Sequence, residues 1–519
     1  MEWLPELSLP FLVAVTVILL ATSWFISKKP SKTRTASNRL PPGPWKLPII
    51  GNLHQLIVGS QPAHRRLQEL SRQYGPVMQL QLGELHHVVV SSAEAARDVL
   101  KTHDTALASR PYVLAADVIF NGRKAIAFTP NGPYWRQMRK ICMMELLSDK
   151  RVLSYRSVRE DELSGNMVRR IHKMTSTTTH PRVNLGEILF WASNRVIARS
   201  AFGTIQENTT ESFMAMVNSI SDVLGGMTVS DLYPSVKFLP TLTGFRSKLN
   251  RLHREADVLL DAKINEHLAR RAVAGKDQAA PVYIVDVLLD LQANCTDLES
   301  PLTNDNIKAV VTELILGGSA NPSNTTEWTM SELMRNPRVM QKAQEEVRQA
   351  FHGKGRVEEE GLDKLKYMNA VINESLRLHP DGPLLAPREG QQDVVVGGYL
   401  VPAGTKVMVN AWAIGRDSRY WDDPETFYPE RFTMNCSKDY KGRDFQFIPF
   451  GSGRRMCAGI SFGLATVKLG LANLLYHFDW KLPTGMKPED LDMSERFGLA
   501  VRRNCQLCLI PFPYKTESS

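Results

Sequence analysis

The sequence predicts a mainly helical fold with a few small β-sheets, behind an apolar N-terminal segment. Three observations carry this. Apolar residues recur at three- and four-residue spacing through Asp161–Met174, Lys248–Ala272, Asn306–Met334 and Pro337–Phe351, as in helices with one buried face. Strand-like alternation is confined to short pieces: Val77–Leu82, His86–Val90, Val394–Leu400, Lys406–Asn410 and the C-terminal Gly498–Pro511. Leu7–Ile26 is a run of about twenty mostly apolar residues, the length that spans a bilayer as a helix.

The elements follow in chain order. Glu2 and Glu6 precede the apolar run; Lys28, Lys29, Lys32, Arg34 and Arg39 follow it. A cleaved signal peptide would start basic and carry a shorter apolar stretch, so an uncleaved anchor fits better, with the bulk of the chain on the cytosolic side. Residues 1–27 therefore read as a membrane anchor and 28–52 as a basic, proline-rich hinge, stiffened by Pro41, Pro42 and Pro44. Residues 53–519 read as one large domain, since no repeat or low-complexity linker divides them. The first strands pair through a turn at Gly83–Leu85, and from Ser92 onward the pattern is mostly helical.

The chain has 519 residues and a net charge of +9. That charge is dispersed, without the basic stripe and interleaved aromatics of a nucleic-acid binder, so nucleic acid is excluded as a partner. An anionic membrane surface or an acidic protein partner suits it better. Six cysteines are sparse for this length and fit a reducing compartment. Cys505 and Cys508 form a C-x-x-C pair, but no second pair or histidine cluster accompanies it, so a structural role in a terminal strand is expected. The sequons at Asn208, Asn294 and Asn435 matter only on a lumenal side.

One thiol is different. Cys457 lies in Pro449-Phe450-Gly451-Ser452-Gly453-Arg454-Arg455-Met456-Cys457-Ala458-Gly459, just ahead of the apolar helical run Ile460–Tyr476. Free backbone N–H groups and the dipole at a helix start favour a thiolate. Gly453 and Gly459 let the backbone approach a flat ligand, and Arg455 reaches an anionic group on it. A solitary thiolate so presented suits haem iron that splits an O–O bond. The competing reading is a buried structural cysteine in a glycine-rich turn.

The string Phe450-x-x-Gly453-x-Arg455-x-Cys457-x-Gly459 resembles the haem-binding loop of cytochromes P450 at five positions. The resemblance covers nearly the whole chain. It implies the cytochrome P450 fold with an N-terminal transmembrane helix, haem b as cofactor, and Cys457 as the axial iron ligand. It also implies a structural cluster of Glu374, Arg377 and Arg431, the first two at i, i+3 on one helical face. Trp135 and Arg139, at i, i+4, resemble the helix along the haem edge, with the indole N–H and the guanidinium directed at a propionate; Arg388 matches another propionate position. The proline hinge, Asn336-Pro337 and Pro387-Arg388-Glu389 resemble the plant microsomal (A-type) group.

The helix expected over the oxygen-binding face departs from that resemblance. Plant relatives typically read Ala-Gly-Thr-Asp-Thr-Ser there; this chain reads Gly317-Gly318-Ser319-Ala320-Asn321-Pro322. The acid position is Ala320 and the alcohol position Asn321. Pro322 cannot donate to the Gly318 carbonyl. Ser319, Ala320 and Asn321 are thus the candidate catalytic positions, with the Ser319 hydroxyl and the Asn321 amide completing a water chain. The departure accommodates an ordinary hydroxylase, or atypical oxidation such as coupling, ring closure or expansion, methyl shift or desaturation.

By resemblance, substrate contacts come from residues 110–129, 227–239, 313–321, 383–385 and 497–499, an apolar set that suits a lipophilic small molecule. Glu313 is the exception: it either points at a substrate amine or sits on the wet face of its helix, and the wet face is the expectation. The resemblance further implies a monooxygenase on the endoplasmic reticulum membrane, spanning it once with its catalytic domain cytosolic. Electrons from NADPH arrive through a separate FAD/FMN reductase, NADPH–cytochrome P450 reductase, with cytochrome b5 as a candidate second donor. The substrate class is a plant specialised metabolite, an alkaloid or a terpenoid. The alternatives are hydroxylation of a terpenoid or phenolic, and a haem-thiolate isomerase or dehydratase that uses no dioxygen.

Overall fold

The computed structural model describes residues 39–57, 61–177, 182–225, 227–274, 283–294, 298–433 and 438–514. The expected anchor and the first part of the hinge lie outside them. Among the described residues, no helix is long and apolar enough to cross a membrane.

The principal helices are α1 (Pro133–Ile141), α2 (Leu185–Phe202), α3 (Glu207–Leu224), α4 (Phe245–Ala274), α5 (Asn304–Arg335), α6 (Pro337–Ala350), α7 (Lys366–Leu378) and α8 (Ile460–His477). The stretch expected as a helix over 161–174 is split, opening with a π-helical segment, Glu160–Met167, before regular helix to Thr177. The strands are short: β1 (Val77–Leu82), β2 (Leu85–Val90), β3 (Val183–Asn184), β4 (Arg388–Glu389), β5 (Val394–Val396), β6 (Tyr399–Val401), β7 (Lys406–Val409), β8 (Phe478–Lys481), β9 (Glu495–Arg496), β10 (Arg502–Arg503) and β11 (Cys508–Pro513). Val394–Leu400, expected as one strand, is a hairpin because Gly397 and Gly398 take φ +54° and +81°. The largest sheet runs β1-β2-β7-β4, with β2 and β7 parallel and the outer pairs antiparallel. Cys508 opens β11, and Cys505 lies ahead of that strand, exposed.

α5 forms the axis of the helical layer. A capping box starts it: Thr303 Oγ1 accepts from the Asn306 N–H (3.4 Å), and Asn306 Oδ1 accepts from the Thr303 N–H (2.7 Å). It packs along α2 and against α8, and most of its length is buried. Gly318 makes the α2 contact possible, since a Cβ there would sit 2.8 Å from Ile197 Cγ1. Beside it, Asn194 Nδ2 donates to Ser319 Oγ across the interface (3.1 Å). α8, apolar on nearly every face, leads directly out of the cysteine loop. The loop is therefore wedged between this helical layer and the β1-β2-β7-β4 sheet.

Candidate active site

A cavity of ≈ 570 Å³ lies between the cysteine loop and α5. Phe450, Arg455, Cys457 and Gly459 line its floor; Gly317, Gly318, Ala320 and Asn321 line its roof. The Cys457 N–H donates to the Phe450 carbonyl (3.0 Å), closing the loop, and helix α8 begins three residues later. The Cys457 side chain opens onto the cavity. Burial pushes its thiol up, opposed by the Gly459 N–H and the Arg139 guanidinium. This is the reverse of the thiolate expected from a helix start alone. A thiol held in that way ionises on meeting a metal cation.

Gly453 and Gly459 differ in their surroundings. Gly459 has open space where a Cβ would project. Gly453, expected to admit a flat ligand, instead presses on the protein: its φ is +72°, and a Cβ would lie 2.2 Å from the Leu100 carbonyl oxygen. Its neighbour, the Arg454 N–H, donates to Asp104 (2.8 Å), whose other oxygen accepts from Arg388 Nη1 (2.6 Å).

Four guanidinia gather at one edge of the cavity: Arg110, Arg139, Arg388 and Arg455. Arg455 donates to the carbonyls of Ala108, Ile126 and Thr129 at 2.7, 2.9 and 2.6 Å; Arg139 donates to Met456 (2.7 Å) and Arg110 to Ala127 (2.9 Å). Burial and mutual repulsion hold Arg455 down at about 9 and Arg110 well below the usual guanidinium range. Facing them are two carboxylates, Asp104 and Glu313. Positive charge is therefore in excess, and two anionic groups at this edge would balance it. A buried basic edge for two carboxylates, a thiol opening upward and a clear floor at Gly459 fit a haem with its two propionates.

Three residues depart from their expected places. The Trp135 indole N–H donates to the Ile126 carbonyl (3.1 Å), not into the cavity, and its ring carries the Arg455 guanidinium 3.8 Å from its centroid. Trp135 thus positions an arginine, because backbone at Ile126 already takes its donor. Glu313 is not on a wet face. Its carboxylate accepts from the N–H groups of Ile126 (2.6 Å) and Ala127 (2.8 Å), and burial raises it to about 7 against those bonds and the pull of Arg110. Ser319 is fully buried and absent from the cavity lining; its hydroxyl donates to Ile315 (2.6 Å) and accepts from Asn194. Ala320 and Asn321 do line the cavity, with Asn321 exposed into it. α5 continues through Pro322, and Ser323 Oγ donates to the Ser319 and Ala320 carbonyls, each at 2.9 Å.

Beneath the loop, the expected cluster assembles fully. Glu374 accepts from Arg377 Nε (2.8 Å) and Nη2 (2.7 Å), Arg431 Nε (3.0 Å) and the Tyr428 N–H (2.9 Å), with Glu374 and Arg377 entirely buried. Arg377 also donates to the carbonyls of Gly415, Pro424 and Thr426, tying down the chain that leads to the cysteine loop. Sequence reasoning missed Asp104, which carries no periodic signal, and Asp381, and it counted Arg110 only among the substrate contacts and not at the basic edge. Asp381 is an acid in Pro380-Asp381-Gly382-Pro383 that lines the cavity.

The family profile "Cytochrome P450" matches residues 41–509. The chain is 46% identical over 507 residues to premnaspirodiene oxygenase of Hyoscyamus muticus, covering 97% of this chain and 99% of that protein. It is 46% identical over 508 residues, with the same coverage, to 5-epiaristolochene 1,3-dihydroxylase of Nicotiana tabacum. It is also 46% identical over 506 residues, 97% of each chain, to desmethyl-deoxy-podophyllotoxin synthase of Sinopodophyllum hexandrum. Among solved structures, a zebrafish cytochrome P450 with progesterone superposes with TM-score 0.72 at 25% identity, covering 88% of this chain and 100% of that one. Haem b, and NADPH electrons delivered through a reductase partner, go with this family. On these matches, the chain belongs to the cytochrome P450 family and is a plant-type haem monooxygenase of specialised metabolism.

Proposed function

We propose that the enzyme oxidises a lipophilic polycyclic plant metabolite, terpenoid or alkaloid, in the cavity above Cys457. The observation that carries this is the largely apolar cavity with one thiol at its floor and a basic edge beside it. When bound, haem supplies dioxygen activation and the oxidation itself. Cys457 would ligate its iron. Arg110, Arg139, Arg388 and Arg455 would hold the propionates, with Trp135 supporting Arg455. Glu374, Arg377 and Arg431 keep the loop in shape. Phe450 closes the floor and Gly459 leaves room for the ring.

On the roof, Ala320 and Asn321 provide no acid or alcohol, and the Ser319 hydroxyl is committed to Ile315 and Asn194. The Asn321 amide and the Gly318 carbonyl, which Pro322 cannot satisfy, are the polar groups left to hold water there. This arrangement favours atypical oxidation, such as ring closure, coupling or desaturation, over simple hydroxylation. Residues 1–27 anchor the protein in the endoplasmic reticulum membrane with its body cytosolic, where NADPH–cytochrome P450 reductase, and cytochrome b5 as a second donor, reach it.

Turnover in microsomes with reductase under isotopically labelled dioxygen tests the reading. Label in the product marks a monooxygenase insertion. Oxygen-dependent turnover leaving no label marks coupling or desaturation. Turnover without oxygen overturns the proposal.

A further inference from the structure

Asp381 follows α7, and its side chain lines the cavity shared with Cys457 and Ala320. Its carboxylate accepts from Asn324 Nδ2 (2.5 Å) and Thr325 Oγ1 (2.9 Å), both on α5 one turn beyond Asn321. Its backbone carbonyl accepts from the Val501 N–H (2.9 Å), and Asn324 Nδ2 also reaches the Val501 carbonyl (2.9 Å). The carboxyl is thus fixed from two elements and cannot turn to bulk water.

What it lacks is countercharge. Among the described residues no lysine, arginine or histidine forms an ion pair with it. Arg502, the nearest cation felt there, reaches Asn218 instead (3.4 Å) and is shared electrostatically with Asp222 and Glu327. Burial raises the carboxyl to about 7 despite its two donors. The other two acids lining the cavity are different: Glu313 has two backbone N–H groups and the arginine cluster beside it, and Asp231 is occupied by the Leu114 N–H and the Thr228 hydroxyl of its own helix cap. Neutral donors satisfy the lone pairs of Asp381 but not its charge, and a buried carboxylate without a cation is costly. A ligand hydroxyl would add a third neutral donor. A ligand ammonium would supply the missing charge. The surrounding cavity wall, Leu384, Phe497 and Leu499, is apolar.

We propose that Asp381 is the counter-ion for a protonated amine, so that the cavity takes a lipophilic amine with its nitrogen seated against this carboxylate and its hydrocarbon body toward Cys457. Asn324 and Thr325 are positioning residues that aim the carboxylate. This rests on the proposed oxidation of a lipophilic metabolite and narrows its substrate to a basic one.

The test uses the haem-loaded full-length enzyme and two probes of one shape: a lipophilic alkyl-trimethylammonium and its neutral tert-butyl isostere. The quaternary nitrogen has no lone pair for iron, so the haem absorbance shift on titration reports cavity occupancy alone. In the parent, the ammonium binds tighter than the isostere by about tenfold or more, the least expected of an enclosed charge pair. Asp381→Asn abolishes the preference and leaves isostere affinity unchanged; Asp381→Glu keeps it. Equal affinities in the parent, or a preference that survives Asp381→Asn, overturn the proposal. Should Asp381→Asn fail to take up haem, the parent comparison still decides. A variant that binds both probes like the parent yet couples oxygen to product differently also overturns the anchor and assigns the carboxyl to proton transfer. Absence of any spectral shift with either probe would instead count against the haem-cavity reading beneath it.

Discussion

Glu374→Ala tests whether the buried cluster, and not the cavity, sets the stability of the haem-loaded enzyme. The carboxylate it removes accepts four hydrogen bonds, two from Arg377, one from Arg431 and one from the Tyr428 backbone. Arg377 has no solvent exposure, so its charge stays buried, facing the carbonyls of Gly415, Pro424 and Thr426 and the Trp421 ring with no carboxylate. Removing one partner of such a pair costs about 3–5 kcal/mol. Against a domain stability of about 5–15 kcal/mol, that is a fifth or more of the total. The lost order falls on Gly415–Arg431, the approach to the cysteine loop, so haem retention fails together with the fold. Denaturant unfolding followed by both haem absorbance and far-ultraviolet circular dichroism measures it. The double variant Glu374→Leu/Arg377→Met removes both charges and is less destabilised than Glu374→Ala. A loss below about 1 kcal/mol for the single variant, or additive losses for the double, would refute the reasoning.

Three further outcomes follow from the same geometry. Glu313, at about 7 in the fold against 4.5 unfolded, binds its proton more tightly when folded. Its contribution to stability is complete below the unfolded value and is lost as pH rises through about 7, by about 3 kcal/mol; Glu313→Gln flattens the pH dependence of the denaturation midpoint across that window, and parallel curves for parent and variant would sink the idea. Gly453→Ala, with its Cβ driven to 2.2 Å from the Leu100 oxygen at φ +72°, lowers stability by about 3 kcal/mol, whereas Gly459→Ala, with nothing in reach, lowers haem content at unchanged apoprotein stability. Ala320→Asp with Asn321→Thr restores an acid and an alcohol to the roof and changes the ratio of product formed to NADPH consumed; an unchanged ratio and product profile show that the departure at these positions is of no consequence.

The floor of the site was legible in the sequence because its demands are local. A thiol, two glycines and an arginine at fixed spacing need one loop, and the Glu374–Arg377 spacing needs one helical turn; the helical pair forms as expected, while in the loop Gly453 packs on the Leu100 carbonyl and burial acts against the thiolate. The roof and the edge were less legible because partners there come from far along the chain. Trp135 finds its acceptor at Ile126 only when the intervening loop folds back, and Glu313 leaves the wet face because the same loop offers it two N–H groups. Ser319 looked like a cavity residue by position alone, yet the close approach of α2 at Gly318 turns its hydroxyl to Asn194. Asp104, Arg110 and Asp381 belong to no periodic face, so only the assembled fold shows that they converge.

The contact of Gly318 and Ser319 with α2 has a mechanical side. It fixes one turn of α5 just ahead of Pro322, where a missing backbone hydrogen bond makes the helix easiest to bend. That turn is a fulcrum. The arm beyond it carries Asn324 and Thr325, tethered to Asp381 and so to the loop after α7. The roof at Asn321 is thus held between two fixed points, the α2 contact on one side and the Asp381 tether on the other.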